Sequence, residues 1–283
     1  MTWLILALIS LTTLSIASVL ARALLKDENS NPLGYAIVFQ FVLGFVSLIL
    51  ALTFKKFILP PPETSVLRYL LSALLWAGST VFGFQTLKRL NAGESSILAS
   101  SGTFITIGLG IILLGDIFKF TAIFGTVLIL IAVWIVSTEN LNFKSKKGII
   151  YGLISSILAA VAVVNDAVIL KTYEAFSYTA IMSILPGIIL LLLFPKQAVT
   201  IPKIFNKGSL LIVAILCIFY SIQAITYYLA LQNGAPISQL SPIMKSSIVL
   251  TVILASIFLK ERSDLNKKMT AAFLVTVGTI LLS

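Results

Sequence analysis

Long apolar stretches alternate with short polar ones along this chain. Runs free of Lys, Arg, Asp and Glu recur at roughly 18 to 23 residues, about enough to cross a ~30 Å hydrocarbon core as a helix rising 1.5 Å per residue. With charged residues, Pro and Asn-Gly as punctuation, the pattern predicts ten helices near residues 2–24, 32–54, 66–88, 93–114, 119–138, 148–171, 175–194, 208–231, 235–259 and 267–283. The polar and apolar alternation of membrane barrel strands is missing, so the spans read as helices. The connections are too short to hold a separate soluble domain. The first span starts near Met1 without a basic leader or a small-residue cleavage site, which predicts that it is retained.

The second half of the chain resembles the first. At an offset of 142 residues, Asn91 pairs with Asn233, Ser96 with Ser238 and Leu98 with Leu240, so helix 4 answers helix 9. A three-residue shift then sets Leu114-Gly115-Asp116 against Leu259-Lys260-Glu261, and, one residue further on, Gly125 and Ala132 of helix 5 answer Ala271 and Gly278 of helix 10. The expected domains are residues 1–143 and 144–283, each a five-helix repeat. Because five is odd, the second repeat inserts upside down, a build common among secondary transporters with a site near the midplane. The predicted fold is therefore an all-α membrane protein of two inverted repeats around a central cavity.

Composition narrows the chemistry. Hydrophobic residues are 59% and charged residues 11% of the chain, with a mean hydropathy of +1.08, outside the range of soluble domains. There is no histidine, which removes His-ligated metals, His general bases and His proton relays. The single Cys217 lies in an apolar run, cannot form an intrachain disulfide and reads as a core thiol. The net charge of +10 comes from basic residues scattered through loops, which suits lipid headgroups and topology rather than nucleic acid. No phosphate-binding loop or other cofactor motif appears.

The chain resembles the drug/metabolite transporter superfamily, in its ten-helix type with two EamA-like domains. The resemblance covers nearly the whole length. It rests on Asp116 and Glu261 closing helices 4 and 9, on small residues in helices 5 and 10, on Asn-Ala-Gly and Asn-Gly-Ala-Pro opening helices 4 and 9, and on Pro242 within helix 9. Two departures are Ser100 where helix 9 has Pro242, and Asp116 in place of the usual Glu. The resemblance implies a monomer or weak homodimer in the plasma membrane that carries small organic solutes, often amino acids, outward more often than inward. A proton or counter-ion is the candidate coupling partner. It also implies cytoplasmic termini, whereas the positive-inside rule points the other way. The side bearing the termini, called face A below, holds five loop Lys and Arg residues, and face B holds fourteen.

Depth along each helix singles out the candidate site. Lys245, in Ser-Pro-Ile-Met-Lys-Ser-Ser, lies about 15 Å from face A, at mid-bilayer, where a charge normally faces a cavity or a partner. A structural salt bridge or snorkelling is the bland alternative, although the side chain reaches only about 6 Å. Its repeat counterpart is the uncharged Thr103, which favours a task such as holding a substrate anion over a role in packing. Trp76, Ser100, Thr103 and Tyr220 share its depth, with Gln223, Tyr227 and Ser241 nearby and Asn165 beside Asp166. For the small and aromatic residues, helix packing competes with ligand contact. Asp166, one turn or so inside face A, reads as a gate, an ion pair or a proton contact, and Glu94 as a helix N-terminal acid that could pair with Arg22.

These features predict a secondary transporter, probable exporter in direction, of a small metabolite such as an amino acid or related carboxylate, working by alternating access and without being an enzyme. An alternative keeps the fold but has Asp166 neutralise Lys245, leaving a cationic or neutral solute on aromatic faces. A remote alternative is an intramembrane hydrolase with Ser241 and Lys245 as a Ser-Lys dyad, for which no oxyanion hole or orienting group is visible. A passive channel is the remaining class.

Overall fold

A chain segment in hydrocarbon has no water to bond its peptide groups, so each apolar run must close its hydrogen bonds within itself. The computed structural model describes residues 2–25, 31–61, 65–90, 92–137, 145–199, 207–258 and 265–282. These form ten α-helices: α1 (Trp3–Leu25), α2 (Pro32–Thr53), α3 (Val66–Arg89), α4 (Ala92–Leu109), α5 (Phe120–Ser137), α6 (Lys146–Ile169), α7 (Ala175–Leu193), α8 (Lys207–Gln232), α9 (Ile237–Phe258) and α10 (Leu265–Leu282). A π turn, Gly110–Leu114, extends α4, and a 3-10 turn, Pro195–Val199, follows α7. Among the described residues nine helices are long and apolar enough to span a membrane, and α10 carries a shorter apolar stretch, Met269–Leu282. The expected boundary between residues 143 and 144 lies outside the described residues.

The helices pack as a pseudo-two-fold that exchanges α1–α5 with α6–α10. The self-paired contacts are α2 on α7 and α5 on α10; α3 packs on α6 as α8 packs on α1, and α4 on α6 as α9 on α1. Small residues set the close approaches. A Cβ on Gly125 would lie 2.6 Å from the Gly278 carbonyl oxygen, and one on Gly278 would lie 2.8 Å from that of Gly125. Ala132 and Ala271, their repeat counterparts, are likewise fully buried.

The α2 and α7 pair shows the same symmetry in residues that the sequence comparison above does not align. Asn31 caps α2 by accepting the Leu33 and Gly34 N–H groups, and Glu174 caps α7 by accepting those of Phe176 and Ser177. Gly44 meets Ile184, and Gly187 meets Phe41. In all three comparisons the second-repeat residue lies 143 positions after its counterpart (31 and 174, 41 and 184, 44 and 187).

Asp116 has a structural task. Its carboxylate accepts the Ser238 backbone N–H at 2.8 Å, so the acid that follows α4 caps the N-terminus of α9 across the repeat boundary. Gly110 permits this approach, since a Cβ there would lie 2.6 Å from Ile237 Cγ2 and 3.0 Å from Asp116 Oδ2. The counterpart acid, Glu261, lies outside the described residues.

Gly278→Val forces a side chain into the Gly125 backbone and is expected to destabilise by about 1–3 kcal/mol. Gly108→Ala, with nothing within 4 Å of the added carbon, is expected to be neutral or stabilising by up to about 1 kcal/mol. Thermal melting of the purified protein in detergent distinguishes the two.

Candidate functional site

The helices enclose a cavity of about 450 Å³ between the repeats. Its walls are largely apolar and aromatic, with Phe39, Trp76, Phe84, Tyr220, Tyr227 and Tyr228 as the rings. Two amides, Gln40 and Gln223, and several hydroxyls, including Thr80, Ser183 and Ser241, supply polar contacts. Toward face B the lining reaches Leu87, close to the end of α3 at Arg89. Toward face A it stops at Thr179, Tyr228 and Ser241, each about one turn inside its helix.

Lys245 lines this cavity and is its one charged residue among the described residues. It stands about 12 Å along α9 from the face-A end, on the rise of 1.5 Å per residue. No described residue gives it a hydrogen bond or an ion pair. An ammonium group left to the cavity, on a wall with no carboxylate, creates a strong local preference for an anion.

Asp166 meets the opposite fate. It is fully buried on α6 and outside the cavity lining. Ser72 Oγ donates to its Oδ1 at 2.5 Å and Tyr178 OH at 2.6 Å, while Trp76 Nε1 donates to Oδ2 at 2.8 Å and Tyr228 OH at 2.9 Å. The pairing with Lys245 that the alternative reading requires is not formed: neutral donors from α3, α7 and α8 occupy both carboxylate oxygens. Ser72 and Trp76 lie four residues apart on one face of α3, and a helical side chain leans toward its own N-terminus. The indole thus reaches back toward face A to meet an acid that depth counting alone places well above it.

Asn165 extends the network. It donates to the Arg68 carbonyl at 2.9 Å and to Ser72 Oγ at 2.8 Å, and accepts from Arg68 Nη1 at 3.2 Å. An edge-to-face chain of rings, Tyr69–Tyr173–Tyr178–Tyr228–Tyr227, surrounds the carboxylate with centroids 5.2 to 6.0 Å apart. Gln232 Nε2 donates to the Leu170 and Tyr173 carbonyls, fastening the end of α8 to the turn between α6 and α7. Tyr69, near the start of α3, is buried against Tyr173.

Of the expected site residues, Lys245, Trp76, Tyr220, Gln223, Tyr227 and Ser241 line the cavity. Ser100, Thr103, Asn165, Asp166 and Glu94 do not. Ser100 is turned into its own helix, donating to the Ser96 carbonyl at 2.9 Å. Thr103 is fully buried, and its hydroxyl meets no hydrogen-bond partner. Glu94 is buried in the first turn of α4, and the side chain of Arg22, its expected partner, lies outside the described residues. Ser241 and Lys245 are one turn apart on α9, yet no hydrogen bond joins them. Sequence reasoning missed Ser72, Tyr178 and Tyr228 as partners of Asp166. The spacing of Ser72 and Trp76 was the available signal, but nothing in the sequence aligns α7 or α8 with it.

Ten apolar helices in two inverted repeats, with a cavity between them, define a multi-pass integral membrane protein of transporter build. The model of the EamA-like transporter family matches residues 1–138 and again residues 146–283, and the chain belongs to this family, whose members are transporters of the drug/metabolite type. One solved structure, described as "Crystal structure of protein", is similar to this chain with a TM-score of 0.78 at 14% sequence identity, covering 99% of this chain and 94% of that chain. That likeness shows a shared fold. No curated protein matches the chain.

Thr103→Val removes a buried hydroxyl without a partner and is expected to leave ligand binding unchanged while raising stability by about 1 kcal/mol. Thermal melting with and without ligand checks both parts.

Proposed function

We propose that the protein is a secondary transporter of the plasma membrane that exports a small carboxylate-bearing metabolite, an amino acid or related acid, by alternating access. The observation that carries this reading is Lys245, an unpartnered ammonium on the wall of a cavity whose described lining contains no carboxylate. A substrate carboxylate supplies the missing counter-charge, while Trp76, Tyr220 and Tyr227 pack an apolar body and Gln223 and Ser241 offer hydrogen bonds. A volume of about 450 Å³ falls within the range of small-molecule sites. The lining runs toward face B and stops short of face A, where the Asp166 cluster lies, an asymmetry that supports an alternating-access reading. On the basic-residue asymmetry we place face B in the cytoplasm, where an exporter loads its substrate.

Matched ligands of one apolar body and three charge states test the reading: phenylacetate, phenylalanine and phenethylamine, each added to the purified protein in a thermal-shift assay. The carboxylate-bearing ligands are expected to raise the melting temperature of the wild type. Lys245→Met is expected to stay folded and to lose at least tenfold in their affinity, about 1.4 kcal/mol. Equal shifts in wild type and variant, or stabilisation by the amine alone, would reject the assignment. Orientation is tested separately by labelling a C-terminal tag on intact cells with an impermeant reagent, which is expected to react from outside.

A further inference from the structure

A carboxylate sealed inside the membrane without a cation in contact needs another source of stabilisation, and at Asp166 the donors supply it. We propose that Asp166 is a proton-binding site, and that its protonation opens the face-A gate formed by α3, α6, α7 and α8. This inference rests on the geometry around Asp166 and is independent of what Lys245 binds.

The hydrogen-bond geometry accommodates an ionised carboxylate. Trp76 Nε1 can only donate. Ser72 Oγ accepts from Asn165 Nδ2 at 2.8 Å and donates to Asp166 at 2.5 Å. With Tyr178 and Tyr228, four donors occupy the two carboxylate oxygens. A proton arriving from water forms a new O–H bond on the carboxyl group, and that O–H needs an acceptor. The hydroxyl groups able to turn and accept are those of Ser72 on α3, Tyr178 on α7 and Tyr228 on α8. Whichever turns stops donating, and a charge-assisted bond between helices becomes a neutral one about half as strong. Loss of the proton to water restores the closed arrangement, so the cycle consumes nothing else.

The surroundings make this site responsive rather than inert. Exposed Arg68 on α3 reaches Asp166 only through Asn165. Around the carboxylate stand Tyr69 of α3, Tyr173 of the α6–α7 turn, Tyr178 of α7, and Tyr227 and Tyr228 of α8. Glu174 is engaged in capping α7, and Lys245 on α9 faces the cavity. Trp76 and Tyr228 both line the cavity and hold Asp166. An occupant that draws either of them away weakens the same latch, which links cavity occupancy to proton binding.

A reporter cysteine at Ala230, fully buried on α8 beside the latch, reads the gate in a Cys217→Ala background. Labelling by an impermeant maleimide in nanodiscs, normalised to the unfolded protein at each pH, is expected to rise about tenfold on acidification. Infrared difference spectra are expected to show the carbonyl stretch of a neutral carboxylic acid over the same pH interval. Asp166→Asn is expected to remove that band and to label strongly at every pH. Tyr228→Phe keeps the ring but removes one donor from the charged form, so the labelling midpoint is expected at higher pH. Labelling independent of pH in the reporter protein, an unchanged profile in Asp166→Asn, or an unshifted midpoint in Tyr228→Phe would each overturn the proposal. The Tyr228→Phe arm decides the matter if Asp166→Asn fails to fold.

Discussion

A charge in hydrocarbon must find compensation, and among the described residues Asp166 and Lys245 meet that demand in opposite ways. Asp166 is surrounded on all sides: two oxygens, four donors, no exposed surface. Lys245 is left to the cavity with no partner among the described residues. A satisfied buried charge ties elements together, whereas an open one in a low-dielectric cleft selects what enters. The proposed division of labour between closing and binding rests on that difference.

The pseudo-two-fold supplies the kind of scaffold that the proposed alternating access requires. Side-chain contacts at Gly44 and Gly187 repeat across the two halves, as do the caps at Asn31 and Glu174. Neither charge repeats: the position answering Lys245 is Thr103, which packs in the interior with its hydroxyl unbonded. Symmetry thus belongs to the scaffold and asymmetry to the function. A scaffold with equivalent halves can adopt two arrangements of similar energy, and asymmetric charges bias between them.

Much of the fold was legible because membrane helices announce themselves by length and hydropathy, and all ten predicted spans correspond to observed helices. The repeat was legible in helices 4, 5, 9 and 10, where small residues and closing acids recur. In helices 2 and 7 it was hidden, because a cap can be Asn or Glu and a contact Phe or Ile while performing the same task. The cavity wall followed largely from depth counting, which located Lys245, Trp76, Tyr220 and Tyr227. Depth failed for Asp166 because it treats a side chain as sitting at the level of its own Cα. The Trp76 indole spans the difference, and the tyrosines of α7 and α8 enter through a tertiary arrangement that no local pattern encodes.

In the proposed mechanism the charge at position 245 sets which ligand the cavity accepts. Reversing it is the most direct test: the affinities of phenylacetate and phenethylamine are measured by calorimetry for the wild type and for Lys245→Glu, with folding checked by size exclusion. The expected result is an inversion, with the acid preferred by the wild type and the amine by the variant. An unchanged preference for the acid in a folded Lys245→Glu protein would contradict it.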